Sequence, residues 1–270
     1  MQMAAGRVVL ITGASSGIGL CCAEFLSTRG YRVYGASRTA TTAAGAAPLP
    51  LDVTNDESAV QAIETVLARE GRLDVLVNNA GFGIAGAIED TSMEEAAAQF
   101  AANFFGVMRM CRAALPVMRR QGAGYIINIG SIGGLIAIPY QGLYSATKFA
   151  VEGLSEALRL ESAPFGIRVA LIEPGDHKTA FTKNRQMTKA SGAGSPYRAR
   201  FEAAVGRMAK DEQSGPSPDA VARLLERVIN NPRPRLRYTA GPLPQRAAVW
   251  LKRLMPYALI EKMMQTYYSQ

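Results

Sequence analysis

The chain has 270 residues, 48% of them hydrophobic and 19% charged, a balance that excludes dominant disorder and suits one large α/β domain. No apolar run approaches the roughly 18 residues of a membrane span, and three cysteines with one histidine exclude a disulfide framework and a tetrahedral zinc site. The net charge of +8 is uneven: residues 232–270 hold seven basic side chains against Glu261 alone, and the near-neutral remainder argues against nucleic acid as the main partner.

Residues 7–11 (RVVLI) form a β-branched strand run, and 17–29 carry apolar residues at helical spacing. Strands are expected at 32–37 and 48–53, then a helix over 57–69 capped by Asn55 or Asp56. Three further runs, 74–78 (DVLVN), 124–130 (GYIINIG) and 168–173 (RVALIE), are separated by long helical patterns over 93–121 and 143–163. Strands buried on both faces and alternating with helices imply a parallel sheet with right-handed crossovers. The expected fold is α/β, a doubly wound sheet of Rossmann type in one domain over 1–240.

Beyond Gly175 the pattern loosens. Residues 181–218 mix basic residues with Gly192-Ala193-Gly194 and a helix expected over 197–208, a segment suited to covering a ligand at the carboxyl edge of the sheet. A helix over 219–229, capped by Ser217 or Asp219, and a last strand over 235–239 follow. The tail, 241–270, reads as basic and amphipathic, with Pro256 separating two short helices and Lys252 and Arg253 adding basic faces.

Directly after the first strand stands Thr12-Gly13-Ala14-Ser15-Ser16-Gly17-Ile18-Gly19. Glycines between a strand and a helix allow a tight turn and close backbone approach to a pyrophosphate, which the helix N-terminus attracts. The second strand ends at Ala36-Ser37-Arg38, offering a hydroxyl and a guanidinium where a carboxylate would bind a ribose 2′-hydroxyl. Arg favours a 2′-phosphate, so NADP(H) is expected over NAD(H), with NAD(H) left open.

The spacing Gly-x3-Gly-x-Gly resembles the short-chain dehydrogenase/reductase family, compact single-domain subgroup. Further motifs follow in order: Asn78-Asn79-Ala80-Gly81, Asn103 with Gly106, Ser131, Tyr144-x3-Lys148 and Pro174-Gly175. The resemblance covers about 7–179 and fades toward 239. It implies that Asp52 and Val53 border the adenine, that Asn79, Ala80 and Gly81 border its ribose, and that Pro174, Gly175, His177 and Thr179 lie along the nicotinamide. It also implies that Lys148 holds the nicotinamide ribose, and that Asn103 organises a water relaying protons to it.

Tyr144 and Lys148, four apart on a helix, face one side. Carbonyl reduction needs a proton donor, and the reverse reaction needs a base; an ammonium nearby is expected to lower the Tyr144 pKa toward working pH. Ser131 is placed to hydrogen-bond the carbonyl oxygen. His177, the single histidine, reads better as a backbone contact than as a catalyst, because Tyr144 already supplies the proton.

Ile132, Leu135, Ile136, Ile138 and Pro139, with 82–84 and 181–208, are expected to wall a pocket for a lipophilic carbonyl or alcohol such as a steroid, retinoid or fatty chain. Periodicity alone leaves open whether those aliphatics are core. The general layout looks similar to hydroxysteroid and retinol dehydrogenases of the family. The tail is left as a membrane-surface contact, a lid or a subunit contact. The resemblance implies a homodimer or homotetramer through the 93–120 and 144–163 helices. Met1 to Gly6 carry no leader pattern, so the cytoplasm, with membrane association left open, is the expected compartment. The alternatives are a nucleotide-sensing binding protein without turnover and a nucleotide-sugar epimerase or dehydratase.

Overall fold

In the computed structural model, residues 6–39, 43–252 and 254–268 are described; residues 1–5 and Arg253 of the basic tail lie outside them. Strand β1 (Val8–Thr12) is buried along its length, as a strand covered on both faces must be. Helix α1 (Gly17–Thr28) returns the chain to β2 (Arg32–Ser37), and β3 (Ala47–Pro50) completes one edge. Helix α2 (Asp56–Glu70) crosses to β4 (Val75–Asn78) on the other side of β1. After the short β5 (Ile84–Ala85) come α3 (Met93–Phe100), α4 (Gly106–Gln121), β6 (Gly124–Ile129), α5 (Gly142–Ser162) and β7 (Ile167–Pro174). The remainder is α6 (Phe181–Asn184), β8 (Gln186–Met187), α7 (Arg198–Ser214), α8 (Asp219–Ile229), β9 (Arg237–Ala240), α9 (Leu243–Lys252) and α10 (Tyr257–Tyr268).

The seven-stranded sheet runs β3-β2-β1-β4-β6-β7-β9, parallel at every pairing. Successive residues of β1 point to opposite faces. Leu10 joins Leu76, Ile126 and Leu171 beneath α4 residues Met110 and Met118, while Ile11 joins Val77, Ile127 and Ile172 beneath Leu26 of α1 and Leu225 of α8. The strand order reverses between β1 and β4, and the loops leaving their carboxyl ends diverge to open a crevice there. This is the doubly wound sheet that the alternation of runs predicts.

Several boundaries differ. Strand β3 stops at Pro50 rather than 53, because two prolines confine it to the sheet edge and Asp52 turns the chain, its Oδ1 accepting from Thr54 N at 2.9 Å. The helical pattern over 93–121 is broken by a π-helical turn at Ala101–Phe105. Helix α7 extends to Ser214 instead of ending at 208. The pair β5–β8, two residues each, was too short to read, yet it fastens the segment after Phe181 against the loop after β4. Gly86 permits that approach, since a Cβ there would strike Thr188. Pro256 does separate two tail helices.

Candidate active site

The glycine turn is clamped by the end of β4. Asn79 N and Ala80 N both donate to Thr12 Oγ1 at 3.0 Å, and Asn79 Nδ2 donates to Thr12 O at 2.9 Å and Gly13 O at 3.1 Å. Gly13 has φ +67°, and a Cβ there would lie 2.7 Å from Ala80 Cα; Gly17 has φ +57°. Only glycine meets both demands. Helix α1 begins without a side-chain cap among the described residues, so its leading amides stay available to an anion. An open cradle with a free helix N-terminus fits a dinucleotide pyrophosphate.

Gly13, Ser15, Ser16, Gly17 and Ile18 line one large cavity of about 1190 Å³. Ser37, Arg38, Asp52, Val53, Asn79, Ala80, Gly81, Pro174, Gly175, His177 and Thr179 line it too, together with Ser131, Tyr144 and Lys148. Two expected site residues do not. Gly19 packs beneath the turn, where a Cβ would strike Asn79 and Gly13 O, so its part is to let the turn close. Asn103 is buried in the π-helical turn, its Oδ1 accepting from Phe82 N at 3.0 Å and its Nδ2 donating to Phe82 O at 2.9 Å and Thr147 Oγ1 at 3.2 Å. Its side chain is thus committed to protein partners.

At the carboxyl end of β6, Ser131 Oγ accepts from Gly133 N at 2.9 Å and starts a 3₁₀ turn. A Cβ on Gly133 would lie 3.2 Å from Ser131 Oγ and 3.4 Å from Tyr144 Cε1, so that glycine occupies the narrow space where the two side chains meet. On α5, Lys148 Nζ donates to Ile129 O at 2.8 Å and lies 5.8 Å from the Tyr144 ring centre. Burial pushes the Tyr144 phenol up to about 12, against the lowering effect of its hydrogen bond with Ser131. Burial draws Lys148 down to about 8, against the upward pull of Glu152. This corrects the expectation that the ammonium brings the phenol toward neutrality: desolvation dominates both groups.

His177 is buried, and its Nδ1 lies 3.0 Å from Gly175 O, so the ring folds onto its own loop. The expected wall is only partly observed: Phe82, Gly83, Ile132, Ile136, Ile138 and Phe181 line the cavity, while Ile84, Leu135 and Pro139 do not. The tail supplies the rest through Gln245, Ala248, Met263, Met264, Tyr267 and Tyr268. Tyr267 donates to Asp211 Oδ2 at 2.6 Å and packs its ring under Arg207 at 4.3 Å, fixing α10 to α7.

Sequence reading missed Gly133, Asp176, Glu212 and Gln245. Gly133-Gly134 beside Ser131 was a usable signal. Nothing local marks Gln245, whose role depends on a partner 69 positions away.

The family described as short chain dehydrogenase matches residues 7–190. A 3-ketodihydrosphingosine reductase of Bacteroides thetaiotaomicron is 46% identical over 94% of this chain and 96% of its own. Human 17-beta-hydroxysteroid dehydrogenase type 1 is 37% identical over 87% of this chain and 77% of its own. A short chain dehydrogenase/reductase from Burkholderia phymatum in complex with NAD superposes with a TM-score of 0.81 at 26% identity, covering 97% of each chain. Family match, relatives and the cavity joining the glycine turn to Ser131, Tyr144 and Lys148 agree: the chain belongs to the short-chain dehydrogenase/reductase family, oxidoreductases that use nicotinamide dinucleotides.

Proposed function

We propose that this protein is an NADP(H)-dependent reductase of a long-chain ketone, a lipophilic carbonyl of the kind named in its Bacteroides relative. The observation that carries this reading is the single cavity in which the cradle, the Ser131–Tyr144–Lys148 group and apolar side chains of the tail share one wall. The dinucleotide, when bound, supplies the hydride. Ser131 orients the carbonyl oxygen, Tyr144 donates a proton to that oxygen, and Lys148 stabilises the charge left on the phenol. A phenol held near 12 is protonated at neutral pH, the form that donates to the carbonyl oxygen in reduction. Asn103 acts through position, keeping Phe82 and Thr147 in place.

Arg38, exposed at the cavity rim beyond β2, supports NADP(H) over NAD(H). The segment 181–218 and the tail 241–270 form the substrate cover. Trp250 is 62% exposed and Tyr257 72%, and with exposed Lys262 on the same tail they support a peripheral membrane contact, in a cytoplasmic enzyme, that would bring the cavity mouth to a lipid-borne substrate, while Lys252 turns inward and donates to Leu135 O. Among the described residues, no helix is long and apolar enough to cross a membrane. Phe105, Phe149 and Leu160, exposed on the α4 and α5 region, support a dimer or tetramer.

The test is NADPH oxidation by the purified chain against 3-ketodihydrosphingosine, a steroid ketone and retinal. Turnover of the first, faster than of the others, is expected; no turnover of any ketone with either nucleotide overturns the reading. Vesicle flotation of the full chain against a variant with Trp250 and Tyr257 both changed to Ser tests the membrane contact, and equal flotation removes it.

A further inference from the structure

The inner wall of the cavity is not purely apolar. Asp176, in the loop after β7, and Glu212, near the end of α7, both line it. Glu212 is neutralised: Arg185, whose side chain is 1% exposed, bonds to its Oε1, and Thr182 Oγ1 donates to its Oε2 at 2.5 Å. Nearby Asp211 accepts from Arg207 Nε at 3.1 Å. Asp176 differs. Its Oδ2 accepts from the neutral amide of Gln245, and no cation lies within ion-pair distance among the described residues. Burial raises its pKa and Asp211 adds to the rise, while the Gln245 amide, and after it Arg185 and His177, offset only part of it.

A half-buried carboxylate without a counter-ion is costly unless a cation arrives. Room for one exists, because the residue faces open cavity volume rather than packed core. Phe181, 5.5 Å from the Tyr144 ring, lines that wall with Tyr267 and Tyr268; Arg185 lies over the Phe181 ring and Arg207 over the Tyr267 ring, so these two rings shape the wall while Asp176 supplies its unpaired charge. The adjacent His177 is turned onto its own loop, its Nδ1 3.0 Å from Gly175 O and its Nε2 buried without a hydrogen-bond partner. Asp176 and Tyr144 line the same cavity, and the negative charge of Asp176 adds to the rise in the Tyr144 pKa.

We infer that Asp176 is a specificity-determining residue that binds an ammonium carried on the carbon next to the substrate carbonyl, so that the cavity selects long-chain amino ketones over plain ones. This rests on the ketone-reductase reading above. Gln245 is a positioning residue: it orients the carboxylate while Glu212 and Arg185 cancel each other. The hydride and proton go to the carbonyl as before, and the ammonium keeps its protons throughout.

Two measurements on the full chain test it. In turnover, a long-chain ketone is compared with its analogue bearing an amino group beside the carbonyl. The wild type should favour the amino ketone in kcat/KM, and Asp176→Asn should cut that ratio by roughly tenfold or more, as loss of a charged hydrogen bond implies. In calorimetry without turnover, a saturated long-chain amino diol should bind tighter than its N-acetyl derivative, and Asp176→Asn should abolish the difference. Equal binding of the two by the wild type, or a ratio unchanged in Asp176→Asn, overturns the inference and leaves the reductase reading standing. Preferential amine binding with no turnover of either ketone overturns the reductase reading and supports the ammonium site. Because the wild-type comparison stands alone, misfolding of the variant does not rescue the idea.

Discussion

Gln245 on α9 grips the loop after β7 at two points: its Oε1 accepts from Asp176 N at 2.9 Å, and its Nε2 donates to the Asp176 carboxylate. This couples the C-terminal tail to the loop that runs along the cofactor side of the cavity. Gln245→Ala should loosen the tail by about 1–2 kcal/mol, the scale of two hydrogen bonds. The expected result is a several-fold rise in KM for the ketone with faster proteolysis of the tail; unchanged KM and cleavage would show that the contact is idle.

Tyr144→Phe removes the proposed proton donor while keeping the ring that packs on Phe181. Turnover should fall by about three orders of magnitude or more, in line with loss of general acid catalysis, while NADPH fluorescence still reports binding. His177→Val should leave turnover within a few-fold, because the imidazole is engaged with its own loop. Collapse of the His177 variant with its fold intact would transfer the proton-donor role.

Arg38 follows Ser37, and the Ser37 hydroxyl donates to Thr39 O, ordering the chain as it leaves β2. Arg38→Ala should lower the NADPH-to-NADH ratio of kcat/KM by roughly 10- to 100-fold, the value of a charge-assisted phosphate contact. Steady-state kinetics with both nucleotides decides it, and an unaltered ratio would return the choice of cofactor to other residues.

Lys148 has a pKa drawn from 10.5 down to about 8 by burial. Between those values the unfolded chain retains a proton that the folded chain has released, so this group's contribution to stability rises with pH there. Below that window the burial penalty is complete. Lys148→Met carries no such proton. Its stability relative to wild type should be most favourable below about pH 8 and decline toward pH 10, by up to about 3 kcal/mol. Denaturant titrations of both proteins at several pH values measure the difference; a constant difference would mean that the folded-state pKa is ordinary.

Arg237 of β9 donates from Nε to Glu152 Oε2 at 2.7 Å and lies 3.5 Å from Glu173 Oε1, holding two buried carboxylates behind Lys148. Arg237→Ala would remove the guanidinium paired with buried Glu152, and a loss of about 3 kcal/mol or more is expected in urea unfolding. A loss under about 1 kcal/mol would mean that this pair contributes little to stability.

Much of this architecture could be read along the chain. Val8 to Thr12 and residues 75–77 announce buried parallel strands because every side chain is apolar or β-branched, and Gly13 and Gly17 announce a turn that no other residue can make. Other features leave no local trace. The π-helical turn at Ala101–Phe105 accompanies Asn103 bonding to Phe82 and Thr147, and neither partner is near it in sequence.

The sequence by itself determined the doubly wound sheet, the dinucleotide turn and the spacing of Ser131, Tyr144 and Lys148, because period, glycine geometry and helical pitch act over a few residues. Only the tertiary structure decided that tail residues line the cavity, that burial rather than charge governs Tyr144 and Lys148, and that Asp176 faces the cavity without a cation within ion-pair distance among the described residues. Those properties arise from desolvation and from contacts between distant segments, and both exist only once the chain has closed on itself.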